Sequence, residues 1–142
     1  MGNAPKALSV FFLFLFLAAE LPAADLTMGK AINKAGRQRM LSQRIAKYYA
    51  YKAWGFDDPN YDKEMNKAMS EFHSALDYLK NAPENTSKID EALAKVEKDW
   101  QTFELSKKVK RGTYIPSLVM RSMENILNQM NYITALYAAI VK

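Results

Sequence analysis

The sequence has no cysteine and a single histidine, His73. The first absence removes disulfides, thiolate metal sites, c-type haem attachment and thiol chemistry. The second removes histidine-based metal clusters, so no metal is expected. Glycine is sparse, at 5 of 142 residues, and none falls in a phosphate-cradling loop pattern. No nucleophile–base pair or paired-carboxylate arrangement stands out. The chain therefore reads as a non-enzyme, with no catalytic residues and no cofactor. A further absence is local. No Asp or Glu occurs between Asp25 and Asp57, yet this stretch carries Lys30, Lys34, Arg37, Arg39, Arg44, Lys47 and Lys52. A helix so composed repels itself unless something negative is near.

Long apolar runs are confined to the start. Met1 to Lys6 is short and weakly basic, Ala7 to Ala19 is apolar around "VFFLFLFL", and "AAELPAAD" is rich in small residues. That order is the layout of a secretory signal peptide, here residues 1–24, with cleavage expected after Ala23 or Ala24. An uncleaved membrane anchor is the competing reading, but a spanning helix needs about 20 apolar residues and Glu20 interrupts this one. Removing 24 residues from 142 leaves 118, enough for one domain over residues 25–142. The leader holds one cation, Lys6, and one acid, Glu20, so the formal charge stays at +5. An exported domain without cysteines folds on its core alone. The expected location is the periplasm or the cell exterior, which argues against nucleic acid as a partner.

What is present is helix-forming. Ala, Lys, Glu, Met and Leu dominate, and three breaks, "GFDDPN", "NAPENTS" and "KRGTYIP", divide the chain into four segments. The second segment carries a stripe of Tyr61, Met65, Ala68, Phe72, Leu76 and Leu79. The third carries Ile89, Leu93, Val96, Trp100 and Phe103, and the fourth Val119, Met123, Ile126, Met130, Ile133, Tyr137 and Ile140. Spacings of three and four mark bundle helices. Asp58 before Pro59 reads as a helix start, Ser87 with Asp90 resembles a capping box, and Ser117 is a candidate contributor to the fourth start. Four helices joined by short loops predict an all-α, antiparallel up-down-up-down four-helix bundle. The first and last helices then lie side by side.

The first segment has an unusual face. On a wheel centred on Arg39, the residues Met28, Ile32, Ala35, Gly36, Ser42, Gln43, Ala46, Ala50 and Ala53 fall within about 60°. Arg37, Arg44, Lys30 and Lys34 fall on the far side. Most of the cations thus form a solvated back, and Arg39 stands alone on a small-residue face. Gly36 costs about 1 kcal/mol in a helix interior and suggests a close approach. An arginine in a packed seam requires a partner. One reading is a salt bridge to Glu71, Asp77, Glu91, Asp99 or Glu124. The other is an anion site, because a guanidinium suits planar oxyanions. On a two-fold dimer axis, two copies of Arg39 would repel until an anion sat between them.

At these residues the chain resembles a known family. "INKAGRQRMLSQRIAKYY" (Ile32 to Tyr49) resembles the opening helix of the PilJ-type sensor domain, the N-terminal region of type IV pilus methyl-accepting chemotaxis transducers, related to the periplasmic domains of nitrate/nitrite sensor kinases. The match is dense over 18 residues, and no second motif is found. The resemblance implies a periplasmic four-helix bundle that dimerises through its first helix. In nitrate-sensing relatives the "AINKAG-x-x-RM" segment binds nitrate or nitrite at the dimer interface. Carried over by position, the arginine is Arg39 and the glycine Gly36, with Ile32, Ala35, Met40 and Gln43 shaping the site. Arg37 points away and is not assigned. Those sensors continue into a membrane span and a signalling region, whereas this sequence ends at Lys142. It is therefore expected to need a membrane receptor partner.

Other motifs have plainer readings. "YYAYKAW" (Tyr48 to Trp54) interleaves aromatics with Lys47 and Lys52, a pattern that can stack bases or sugars; helix packing is preferred, with Trp54 plugging the bundle end. "KKVKRG" (Lys107 to Gly112) could touch anionic lipid but reads as a solvated helix end. His73 reads as surface, Met65, Met123 and Met130 as core, and "NTS" at Asn85 to Ser87 as an unused sequon. Two functions remain: a stand-alone module binding nitrate or nitrite at a homodimer seam, or a structural bundle docking a chemoreceptor or pilus-related partner.

Overall fold

The computed structural model describes residues 23–108 and 114–142, so the expected leader and most of the "KKVKRG" run lie outside the described residues. Four helices follow in order: α1 (Ala23–Ala53), α2 (Pro59–Lys80), α3 (Ser87–Lys108) and α4 (Pro116–Ile140). Every break expected from Gly, Pro and Asn clusters falls between two of them.

Local chemistry explains the ends. The Asp58 side chain caps α2 by accepting from the Asn60 N–H at 2.8 Å, and Pro59 occupies the first turn. At the end of α1, the Gly55 N–H donates to the Lys52 carbonyl and the Phe56 N–H to the Tyr51 carbonyl. This is a Schellman closure. It places Gly55 at φ +86°, where a side chain is strained. Its accompanying apolar contact is Phe56 edge-on to Tyr51 at 5.9 Å. The start of α3 differs from expectation: Thr86, not Ser87, caps it, its hydroxyl accepting from the Ile89 N–H at 3.4 Å. Asp90 instead accepts from the Asn85 side chain at 3.0 Å. Ser117 provides no cap either; α4 opens at Pro116 after Ile115, with no side-chain cap bond. The Ile115 N–H donates to the Tyr49 hydroxyl at 2.7 Å, so α1 receives the start of α4.

Hydrogen bonds give the packing sense. Along α1 and α2, Thr27 meets Glu84, Arg37 meets Glu71 and Lys52 meets Asp62, so these helices run antiparallel. Tyr49 with Ile115 and Arg39 with Asn131 give the same sense for α1 and α4. Asn85 with Tyr137 and Asp99 with Asn125 lie along α3 and α4. The α1–α4 contact is the most extensive and α2–α3 the thinnest. The arrangement is a helical bundle in which α1 and α4 are neighbours.

The core follows the stripes. All five stripe residues of α3 are buried, as are Val119, Met123, Ile126, Met130, Ile133 and Tyr137 of α4. Ile140, the last residue of that stripe, is 45 % exposed because the bundle ends there. Met65, Met123 and Met130 are core residues. Phe72 of α2 stacks on Trp100 of α3 at 4.3 Å between ring centroids, and Phe103 packs against the same indole. Such buried aromatics carry much of the stability of a disulfide-free domain.

α1 departs most from the sequence pattern. Its buried line is Met28, Ala31, Ala35, Gln38, Ser42, Ile45 and Tyr49, at alternating steps of three and four. Gln38 and Ser42 are fully buried within it. Gln38 donates to the Phe72 carbonyl at 2.9 Å and Ser42 to the Arg39 carbonyl at 2.8 Å, while the Gln38 Oε1 is buried with no partner among the described residues. The core line therefore passes through Gln38, one residue before the arginine on which the wheel was centred.

The outer face of α1 as candidate functional site

That rotation places Arg39 at the rim where α1 meets α4. Its side chain is exposed. Nε donates back to the Gly36 carbonyl at 3.3 Å, and Nη1 donates across to the Asn131 side-chain oxygen of α4 at 2.9 Å. Both acceptors are neutral. Of the acids expected to pair with Arg39, none among the described residues does so. Glu71 pairs with Arg37 instead, at 2.6 Å. A guanidinium has five N–H donors, so the two bonds leave three free to point outward from the α1–α4 rim.

Gly36 serves this geometry. A Cβ built at Gly36 would meet only the Arg39 Nη2 atom, at 3.7 Å. Nothing else of the same chain approaches closely, so the bare backbone leaves room beside the guanidinium. Gln43 is exposed one turn further along the same face, and Met40 is 42 % exposed at its edge. Ile32 is partly buried against the core. Ala35 departs from expectation. It is fully buried and belongs to the core line rather than to the outer face. Arg39, Gly36, Gln43, Met40 and the rim of Ile32 are thus brought together, and Ala35 is not. Asn131 joins them and escaped sequence reading, because an exposed asparagine on α4 carries no signal until α1 and α4 are known to be neighbours.

Five of the six other cations of α1 make ordinary surface contacts, whereas the Arg44 side chain has no hydrogen bond or ion pair among the described residues and acts on Glu71 only through its charge. Arg37 binds Glu71 through two N–H groups, at 2.6 and 3.2 Å, and this hydrogen bond holds the Glu71 carboxyl below its usual pKa. Lys30 and Lys34 lie 4.8 and 4.9 Å from the Tyr78 ring centre, Lys47 lies 4.4 Å from that of Tyr48, and Lys52 pairs with Asp62. Cations over ring faces are weakly stabilised where exposed. Arg39 is the cation of this helix with two neutral oxygen acceptors and an outward guanidinium.

The remaining motifs are placed as follows. Tyr48, Tyr51 and Tyr61 cluster at ring distances of 5.2–6.4 Å. Trp54 does not plug the bundle end; it is 71 % exposed, because the Schellman closure turns the chain away beneath it. His73 is exposed, 3.4 Å from Asp77. Asn85 of the sequon is consumed by the fold. Its amide donates to the Leu79 carbonyl and to Asp90, and its oxygen accepts from the Tyr137 hydroxyl at 2.6 Å. Burial, with Asp90 and Glu84 nearby, pushes the Tyr137 phenol up to about 12. Among the described residues no group of acids and histidine could hold a metal ion, and no helix is long and apolar enough to cross a membrane.

These features define a four-helix module whose polar chemistry sits on outer helix faces. Residues 24–111 match the PilJ family, described as the type IV pili methyl-accepting chemotaxis transducer N-terminal domain, and the chain belongs to that family. It is a sensory rather than a catalytic family. The matched segment ends before α4, which packs on α1 and α3 nonetheless. No curated protein and no solved structure matches the chain significantly.

Proposed function

We propose that this protein is a periplasmic ligand-sensing module that binds a small planar oxyanion, nitrate or nitrite, on the outer face of α1. Two copies meet along that face, and the anion sits between the two Arg39 side chains. The observation that carries this reading is the Arg39 guanidinium. It is exposed, lacks a carboxylate partner among the described residues, and is held in place by the Gly36 carbonyl and Asn131.

The physics is simple. Two guanidinium groups on one axis repel, and a planar anion accepting N–H bonds from both relieves that repulsion. Gly36 leaves backbone close to the anion, Gln43 supplies a neutral polar group, and Ile32 and Met40 exclude water at the edges. Ala35 supports the site from inside. Asn131 links the ligand position to α4, so occupancy biases the α1–α4 contact. The altered dimer is then read by a separate membrane receptor.

Calorimetric titration of the purified protein with nitrate and nitrite, with chloride and sulfate as controls, tests this. Saturable heat with a planar anion, lost in Arg39→Ala and kept in Arg44→Ala, is expected. No heat at protein concentrations that maintain the dimer contradicts it. A second reading, a bundle that docks a chemoreceptor or pilus-related partner without a ligand, draws on the exposed Met40 and Trp54. A monomer indifferent to anions that binds a membrane receptor would favour it.

A further inference from the structure

The chain has no cysteine, so methionine thioethers are its only oxidisable sulfur. Most of those described are protected. Met28, Met65, Met123 and Met130 are buried in the core. Met69 and Met120 are partly buried against it, and the Met69 sulfur also receives the Lys107 ammonium at 3.0 Å. Met40 is the one exposed methionine among the described residues, at 42 %. Susceptibility to oxidation follows exposure, so Met40 is expected to oxidise first.

Its position gives that chemistry a consequence. Met40 follows Arg39 in the chain and lies one turn beyond Gly36 on α1. The side chain of a helical residue leans toward the helix start, over the residue four places before it. For Met40 that residue is Gly36. The Arg39 guanidinium reaches the same turn from its own side. Nε donates to the Gly36 carbonyl at 3.3 Å, and Nη2 is 3.7 Å from where a Gly36 Cβ would stand. With no Cβ present, thioether and guanidinium share the space above one bare turn of backbone. Nε and Nη1 bind the Gly36 carbonyl and Asn131, so Nη2 is the nitrogen with both N–H groups unspent.

A thioether sulfur is a weak acceptor and leaves those N–H groups to solvent or to a ligand. A sulfoxide is polar, and its oxygen is the kind of acceptor a guanidinium binds. The methionine stem has three rotatable bonds, which let that oxygen turn toward Nη2.

We propose that Met40 is an oxidant-sensitive modification site whose sulfoxide caps the Arg39 guanidinium. The step transfers one oxygen atom from a peroxide. The O–O bond breaks, one oxygen bonds to the Met40 sulfur and the other leaves as water. The sulfur gives up two electrons and the peroxide gains them. Methionine sulfoxide reductases, one for each sulfoxide epimer, reverse the change. The new oxygen accepts from Nη2 and occupies donors that the reading above assigns to nitrate or nitrite. The loss of anion binding rests on that reading; the modification and the contact with Arg39 do not.

The experiment treats the purified protein with hydrogen peroxide for increasing times. Peptide mass mapping follows each methionine, and proton–nitrogen NMR follows the Nε–H signals of the arginines. Nitrate is titrated by calorimetry before oxidation, after it, and after reduction by methionine sulfoxide reductases. The peptide holding Met40 is expected to gain an oxygen before those holding Met69 and Met120. The Arg39 Nε–H signal then shifts in step with that gain, while those of Arg37 and Arg44 stay in place. Nitrate affinity falls about tenfold or more and returns on reduction. In Met40→Leu, peroxide moves neither the Arg39 signal nor whatever nitrate affinity that variant has. Oxidation of Met40 no faster than of Met69 and Met120, an Arg39 signal that ignores it, or a nitrate affinity that it leaves unchanged overturns the proposal. A reduced protein that binds no nitrate, yet shows the Arg39 shift on oxidation, overturns the anion reading and supports the sulfoxide contact.

Discussion

Arg39 and Asn131 form the residue-scale unit of the candidate site. The arginine could be isolated from the sequence, because it is the one charge on a small-residue face. Its partner could not, since Asn131 lies 92 positions away and is one of several exposed asparagines on α4. If Asn131 fixes the guanidinium for an anion, Asn131→Ala weakens nitrate binding by about tenfold, the loss of one charge-assisted hydrogen bond's worth of positioning. Arg39→Ala removes binding altogether. Titration calorimetry on the two variants separates these outcomes. Asn85 is a second residue whose role the sequence concealed. Its side chain joins the α2–α3 connection to Asp90 and to the Tyr137 hydroxyl. Asn85→Ala leaves several of those groups without partners and is expected to destabilise the fold by about 1–3 kcal/mol in urea unfolding.

Elements were legible where the hydrophobic stripe is strong. α2, α3 and α4 bury Leu, Ile, Phe, Met and Trp at regular spacing, and their core residues stand out. α1 buries Met28, Leu41, Ile45 and Tyr49 too, but interleaves them with Ala31, Ala35, Gln38 and Ser42. Small and polar residues give no hydropathy signal, so the wheel settled on the neighbouring face through Arg39. Gln38 sits in that buried line with its amide bonded to the Phe72 carbonyl and its Oε1 buried without a partner among the described residues. The ends of α1 were legible in kind but not in detail. Gly55 marked a break, and the structure makes it a left-handed closure at φ +86°. Gly55→Ala is expected to lower stability by about 1 kcal/mol, because a Cβ disfavours that conformation. A matched thermal unfolding of wild type and variant measures it. A variant as stable as wild type would mean the turn relaxes freely.

At the scale of the whole molecule, charge and association matter more than single bonds. The Tyr137 phenol is raised from 10 to about 12 in the folded chain, chiefly by burial. Between those values the unfolded chain gives up a proton that the folded chain keeps, so folding stability declines as pH rises from about 10 toward about 12. Tyr137→Phe removes this dependence, and urea midpoints across that range read it out. The sequence made the bundle clear from its segment count and turn chemistry. It could not show which outer face of α1 remains uncovered, because that depends on how α1 is rotated against three neighbours.

A single linkage measurement bears most directly on an anion held between two copies of Arg39. Dimerisation is measured by sedimentation equilibrium with and without nitrate, for wild type and Arg39→Ala. If the anion binds the dimer alone, nitrate at about a hundred times its dissociation constant tightens the wild-type dimer about a hundredfold. Arg39→Ala, freed of the repulsion, associates at least as well as anion-free wild type and does not respond to nitrate. A wild-type dimer constant unchanged by nitrate and nitrite, or an Arg39→Ala dimer that tightens as wild type does, contradicts the proposed site.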